Sequence, residues 1–261
     1  MKNDYEIQYT SYFLEKLISL IKENYFMDIS CEILYQAAIQ GMLGVLDKYS
    51  TYEIFPKDGL MLCNKQENPV EEYKINDNVN VIKIKTINQR AVEDVTQIMD
   101  CMIDKKETDK LIIDLRDNAG GMTDSLYKMC ALFFSEKEIY IKIKKNKREK
   151  YITKKINEKI KNIIVLVNEK TMSSAEIMAA AFQDNGKIII GKKTYGKGVA
   201  QKTYKTFDGG YILLTTEEYL RINGKKIQDE GIIPDIIVEN EDNILRVAYE
   251  AVEGKYIVKK R

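Results

Sequence analysis

The residue types best suited to chemistry in this chain lie between Asn168 and Gln201, in the stretch NEKTMSSAEIMAAAFQDNGKIIIGKKTYGKGVAQ. Ser173 and Ser174 sit between an apolar run and an apolar helical pattern. Lys197 follows 24 residues after Ser173 in a glycine-flanked turn, and Gln201 lies four residues further on. The chain contains no histidine, so a nucleophilic serine would need a base other than imidazole, and Lys197 is the candidate. Lysine in water titrates near 10.4, so its surroundings would have to lower that value by about 3, or about 4 kcal/mol. Burial against apolar side chains such as Ile177 and Met178 would do this, and a neighbouring carboxylate would oppose it.

Each residue also has a plainer reading. Ser173-Ser174-Ala175-Glu176 matches a capping box, in which the serine caps a helix and Glu176 reaches back. The same strand-to-helix junction would aim a serine out of the sheet edge beside backbone N–H groups able to hold an oxyanion. Gly191 to Lys197 fits P-loop spacing, but Gly198 stands where Ser or Thr should bind magnesium. VAQKTYKTF then reads as a strand, whereas a P-loop opens a helix. In an extended segment, positions 197 and 201 share a face, so the Gln201 amide could orient the amine. Gly120-Gly121, after a buried-looking strand, offers backbone N–H donors or simply a tight turn. Arg116 and Asp117 read as a local salt bridge.

The surrounding elements follow from periodicity. Tyr12, Phe13, Leu17, Ile18 and Ile21 predict an amphipathic helix over 8–24, and Ser30 caps a second helix running to Leu46. Residues 56–78 read as polar loop. VIKIKTI predicts a strand, Arg90–Asp104 a helix, KLIIDL a buried strand, and Leu126 to Phe133 a helix. EIYIKIK alternates, IKNIIVLV is a buried strand, 173–184 a helix and KIII a strand. Phe207–Tyr211 joins 199–206 to 211–217 as a hairpin, and Asp242–Val252 is a last helix. Strands alternating with helices indicate an α/β fold.

Composition narrows the function classes. With 44% hydrophobic and 31% charged residues, the chain can bury a sizeable core. Its net charge of +1 supplies no general attraction to nucleic acid or acidic lipid. The basic stretch 142–161 has little aromatic interleaving and reads as a solvated hairpin tip. Cys31, Cys63, Cys101 and Cys130 lack metal-ligand spacing and read as reduced core thiols, so neither a metal nor another cofactor is expected. No spanning segment or export signal is visible. The chain as given therefore reads as cytoplasmic, or extracytoplasmic if a signal has been removed.

Taken together, LIIDLRDNAGG, NEKTMSSAEIMAAAFQDNGK, GKKTYGKGVAQ and YLRINGKKIQDEGIIPDIIV resemble the successive signatures of the C-terminal processing (tail-specific) serine peptidases. GMLGVLDKYSTYEIFPKD resembles that family's turn after its N-terminal helices. The likeness covers residues 37–56 and most of 80–238. It implies a crotonase-like core and a Ser–Lys dyad, with Ser173 as nucleophile, Lys197 as general base and Gln201 orienting it. The implied oxyanion hole is the N–H of Gly120 (or Gly121) with that of Ser174. Glu176, Asp184 and Thr194 match supporting positions. The interval from Ser173 to Lys197 is one residue shorter than the family's usual one. Between Ile54 and Val79 there is too little chain for the PDZ module that members typically carry. The expected layout is a helical region (1–56), a loop in place of the PDZ module (57–78), a peptidase core (79–240) and a C-terminal helix and tail (241–261).

The expected activity is serine endopeptidase hydrolysis near protein C-termini, through an acyl-enzyme, on protein or peptide substrates. Neither nucleic-acid binding nor membrane insertion is expected, and the oligomeric state is open. An inactive member acting as a peptide-binding protein is the alternative. A crotonase-type acyl-CoA enzyme would share the fold and oxyanion hole without needing the Ser–Lys–Gln set.

Overall fold

The computed structural model describes residues 2–53, 68–104, 110–156 and 160–255, with side chains from residue 6 onward. In chain order its elements begin with α1 (Lys2–Asn24), α2 (Cys31–Gly44), β1 (Thr51–Glu53), β2 (Val70–Asn76), β3 (Val79–Ile84) and α3 (Gln89–Asp104). Next come β4 (Lys110–Asp114), α4 (Thr123–Ala131), β5 (Glu138–Lys144), β6 (Lys147–Ile152), β7 (Asn162–Val167) and α5 (Ser174–Asp184). The chain ends with β8 (Ile188–Gly191), β9 (Val199–Lys205), β10 (Tyr211–Leu220), β11 (Ile236–Ile237), a short 3₁₀ turn and α6 (Ile244–Val252). These form two units, Met1–Leu60 with Gln201–Thr215, and Met61–Ala200 with Thr216–Arg261.

The larger unit is an α/β structure built on six strands in the order β11-β8-β7-β4-β3-β2. All pairs are parallel except β2 with β3. A parallel sheet needs cover on both faces, and its central strands are accordingly apolar on both. Ile82, Ile84, Leu111, Ile113, Val165 and Ile189 pack toward α3, α4 and α5. Their neighbours Val81, Ile112, Ile164, Leu166 and Ile190 pack toward α6. Helix α5 is buried from Ser174 to Phe182, where Phe182 meets the rings of Phe133 and Phe134 at 5.4 and 4.8 Å. Both ends of α5 are thereby pinned, and its N-terminus carries the candidate nucleophile. The β5–β6 hairpin turns at Lys145-Asn146, as its solvated composition predicts.

The smaller unit holds α1, α2, β1 and the tip of the β9–β10 hairpin. Ser30 caps α2 by accepting from the Ile33 N–H at 3.3 Å. Asp208 at the tip accepts from the hydroxyls of Tyr52, Tyr35 and Thr206 and from the Gly210 N–H, which holds its carboxyl well below the usual range.

Three readings change. Residues 70–76, expected as loop, form a strand, because β3 offers them an antiparallel edge that local polarity does not reveal. Residues 56–67 of that expected loop lie outside the described residues. Cys130 is a core thiol whose pKa burial pushes up to about 12, but Cys31 and Cys101 are exposed, and Cys63 lies outside the described residues. Arg116 pairs with Asp114 rather than Asp117, donating from Nε at 2.9 Å and from a terminal nitrogen at 2.6 Å. Asp117 instead meets Asn168 and Lys170.

Candidate active site

Ser173 stands between β7 and α5 with φ 57° and ψ −125°, a backbone conformation that a non-glycine residue seldom adopts. The turn before it is fixed from several sides. Thr171 Oγ1 donates to the Leu115 carbonyl at 2.9 Å and accepts from the Asn168 N–H at 3.0 Å, while the Met172 N–H donates to the Asn118 carbonyl at 2.9 Å. Ser173 is half-buried and Ser174 fully buried.

Glu176 ties the site together. It has no exposed surface, yet its carboxylate accepts from four donors. One oxygen takes the N–H of Ser173 at 3.0 Å and that of Lys197 at 2.7 Å. The other takes the Gly196 N–H at 2.6 Å and the Thr194 hydroxyl at 2.5 Å. Two nitrogens bound to one oxygen lie within about 6 Å of each other, so the Ser173 and Lys197 segments meet here. The capping-box reading therefore captured only the Ser173 arm of this carboxylate. Thr194 Oγ1 also accepts from the Ile232 N–H at 2.7 Å.

Lys197 is half-buried, and burial by itself lowers its pKa. The carboxylate of Glu176 holds the backbone of this turn through N–H groups. β9 follows the turn, where a P-loop would open a helix.

Gly120 closes against Ser173 from the end of β4. A Cβ on Gly120, where φ is +97°, would stand 2.8 Å from the Ser173 Cβ and 3.0 Å from the Ser174 nitrogen. Its N–H, however, donates to Asn118 Oδ1 at 2.8 Å, while Asn118 Nδ2 donates to the Ile84 carbonyl. Gly120 therefore forms the wall, and its own donor is engaged. Gly121 differs. Ile87 bonds to the Gly120 carbonyl and the Met122 N–H, so the Gly121 peptide groups face away from Ile87. Its carbonyl accepts from Ser174 Oγ at 3.1 Å. The N–H groups of Gly121 and Ser174 meet no acceptor among the described residues. Backbone N–H groups without an acceptor, one of them at a helix N-terminus, are groups that can stabilise a developing negative charge.

A side chain at position 121 would sit 2.1 Å from the Ile87 carbonyl oxygen. Gly121→Ala is therefore expected to destabilise the protein by about 3 kcal/mol or more. Thermal unfolding checks this, and an unchanged Tm would contradict the packing described.

The remaining candidates fall elsewhere. Asp184 is at the far end of α5, about 15 Å along the helix. There it pairs with Arg221 and accepts from the Ile222 N–H, so it anchors the chain after β10. Gln201 belongs to the smaller unit, where its Nε2 donates to Thr215 Oγ1 at 3.0 Å and Thr215 in turn donates to Asp47. Burial would raise the Asp47 pKa, but hydrogen bonds from Tyr49, Ser50 and Thr215 lower it overall. Asn118, Thr171 and Asn168 escaped the sequence reading. The signal available was Asn118 two residues before a glycine pair, a common turn pattern. Among the described residues, no cluster of three or more Cys, Asp or Glu could hold a metal.

Comparison with known proteins follows the same residues. The profile of peptidase family S41 matches residues 78–238. The carboxy-terminal processing protease CtpA of Bacillus subtilis is 32% identical over 168 residues, covering 63% of this chain and 36% of that protein. The chloroplastic carboxyl-terminal-processing peptidase 1 of Arabidopsis thaliana is 33% identical over 161 residues, covering 60% and 33%. The chain thus spans about a third of the length of these curated relatives. Among solved structures, the photosystem II D1 C-terminal processing protease superposes with TM-score 0.62 at 21% identity, covering 67% of this chain and 49% of that one. A lipoprotein from Streptococcus agalactiae superposes with TM-score 0.64 at 20% identity, covering 92% and 88%. At these identities the superpositions speak for the fold.

Proposed function

The chain belongs to peptidase family S41, and we propose that it is a serine endopeptidase acting near protein C-termini with Ser173 as nucleophile and Lys197 as general base. The observation that carries this reading is the junction at Glu176, which brings a strained, accessible serine and a half-buried lysine of lowered pKa to one place. Relatives named as C-terminal processing proteases support the substrate class.

In this mechanism neutral Lys197 takes the Ser173 hydroxyl proton as Oγ attacks the scissile carbonyl carbon. The tetrahedral oxyanion rests on the N–H groups of Gly121 and Ser174. Collapse breaks the C–N bond, and the Lys197 ammonium returns its proton to the leaving amine. Water then attacks the acyl ester as Lys197 takes one of its protons, and collapse releases the acid while Lys197 returns that proton to Ser173 Oγ. Gly120 and Glu176 position these groups. Gln201 is the residue we assign to orienting the lysine, and Thr194 and Asp184 support the turn and the helix.

The test is a fluorophosphonate probe together with mass spectrometry of peptide products. Ser173 is expected to label, and peptides cleaved by the wild type are expected to be absent with Ser173→Ala at unchanged Tm. A wild-type protein that neither labels nor cleaves, yet binds peptides, would instead be the inactive binding protein.

A further inference from the structure

Glu176 holds the Lys197 turn on one side only. The opposite side rests on the segment Ile227–Ile232, which has no assigned role. Here the Asp229 N–H donates to the Gly196 carbonyl at 2.8 Å, and the Gly198 N–H donates to Gln228 Oε1 at 3.0 Å. These are the two residues flanking Lys197, so the peptide groups on both sides of the base are gripped. The segment is itself rigidly shaped. It closes through Glu230 and Gly231 N–H bonds to the Ile227 carbonyl, and Asp229 has φ +60°. Gln228 Nε2 donates to Asp229 Oδ1 at 3.0 Å, which turns its amide oxygen toward Gly198. The fit is close: a Cβ on Gly198 would stand 2.5 Å from the Gln228 nitrogen, and one on Gly196 3.2 Å from the Gly231 nitrogen.

We infer that Gln228 is a positioning residue for the base: its side-chain oxygen, by accepting from Gly198, fixes the direction in which Lys197 leaves the turn. The inference rests on the assignment of Ser173 and Lys197 above. Most of the other grips on this turn use main-chain groups or the Glu176 carboxylate. Gln228 is the side chain that holds it from the segment Ile227–Ile232. Without that acceptor the Gly198 peptide can rotate toward water, and the amine then leaves the half-buried site that lowers its pKa. Small displacements of a catalytic group carry large rate penalties.

The experiment measures the rate of fluorophosphonate labelling of Ser173 against pH for the full chain, with Tm recorded for each variant. Gln228→Ala is expected to label about 10- to 100-fold more slowly at neutral pH, with the rising limb of its profile displaced to higher pH. Gln228→Glu keeps an oxygen in place to accept from Gly198 and is expected to recover most of the rate at the plateau above the limb. A Gln228→Ala profile that overlays the wild type overturns the inference. So does a slower rate with an unmoved limb, or one that Gln228→Glu does not recover, since either marks a purely structural loss. If the wild type does not label, or if Lys197→Ala labels as fast as the wild type, the Ser173–Lys197 assignment fails and the inference fails with it. Labelling that needs Lys197 but ignores Gln228 sinks the inference alone.

Discussion

Lys197→Ala is expected to lower peptide hydrolysis and Ser173 labelling by about 10²- to 10⁴-fold, the usual contribution of a general base, with little change in folding. Little folding loss is expected because the turn is held through its main chain, by Glu176, Gln228 and Asp229, and none of those bonds involves the lysine side chain. The wild-type pH dependence carries a matching signature. Below its pKa Lys197 is an ammonium and cannot accept the serine proton, so the rate rises with pH as the amine becomes neutral. Burial lowers that pKa, so the midpoint of the rise lies below lysine's ordinary value in water. In Lys197→Ala this limb disappears. A variant that keeps both near-wild-type rate and the rising limb would show that another group is the base.

Glu176→Ala is expected to be the most destabilising single substitution at the site. It strands the N–H groups of Ser173, Gly196 and Lys197 and the Thr194 hydroxyl in a place where no water-exposed carboxylate surface exists to replace the contact. Each unsatisfied buried donor costs about 1–3 kcal/mol, so a total loss of about 4 kcal/mol or more is expected, lowering Tm by roughly 10 °C. Glu176→Gln keeps the volume but places an amide N–H₂ against N–H donors, and should recover only part of the loss. Activity measured well below the lowered Tm should still be impaired, because the nucleophile and base segments no longer share an acceptor. Thermal melts with labelling at low temperature check both points. A Glu176→Ala protein with native Tm and native labelling would remove the carboxylate from the site's architecture.

Much of this was legible before the fold. The apolar runs around Ile112 and Val165 read as buried strands because a sheet covered on both faces makes every position apolar. The helix over 173–184 reads from the apolar run Ile177–Phe182 behind its capping-box start. Glu176, three residues on, marks Ser173 as the residue at the helix start, while the preference for Ser173 over Ser174 as nucleophile comes from the family resemblance. The strand at 70–76 was not legible, because its residues are polar and its pairing energy comes from β3. The choice between Gly120 and Gly121 was equally hidden, since both are glycines after the same strand. It turns on Asn118 engaging one N–H and on Ile87 directing the other.

The sequence by itself determined the candidate reactive groups, the alternation of strands and helices, and the exclusion of imidazole chemistry, because these depend on residue identity and local spacing. Tertiary structure decided that Asn118 engages the Gly120 N–H, that Arg116 belongs to Asp114, that one buried carboxylate joins the Ser173 and Lys197 segments, and that Gln228 backs the lysine's turn. Each of those is a hydrogen bond whose partner is chosen by geometry, at distances of 2.6 to 3.0 Å, and mostly between segments remote in the chain.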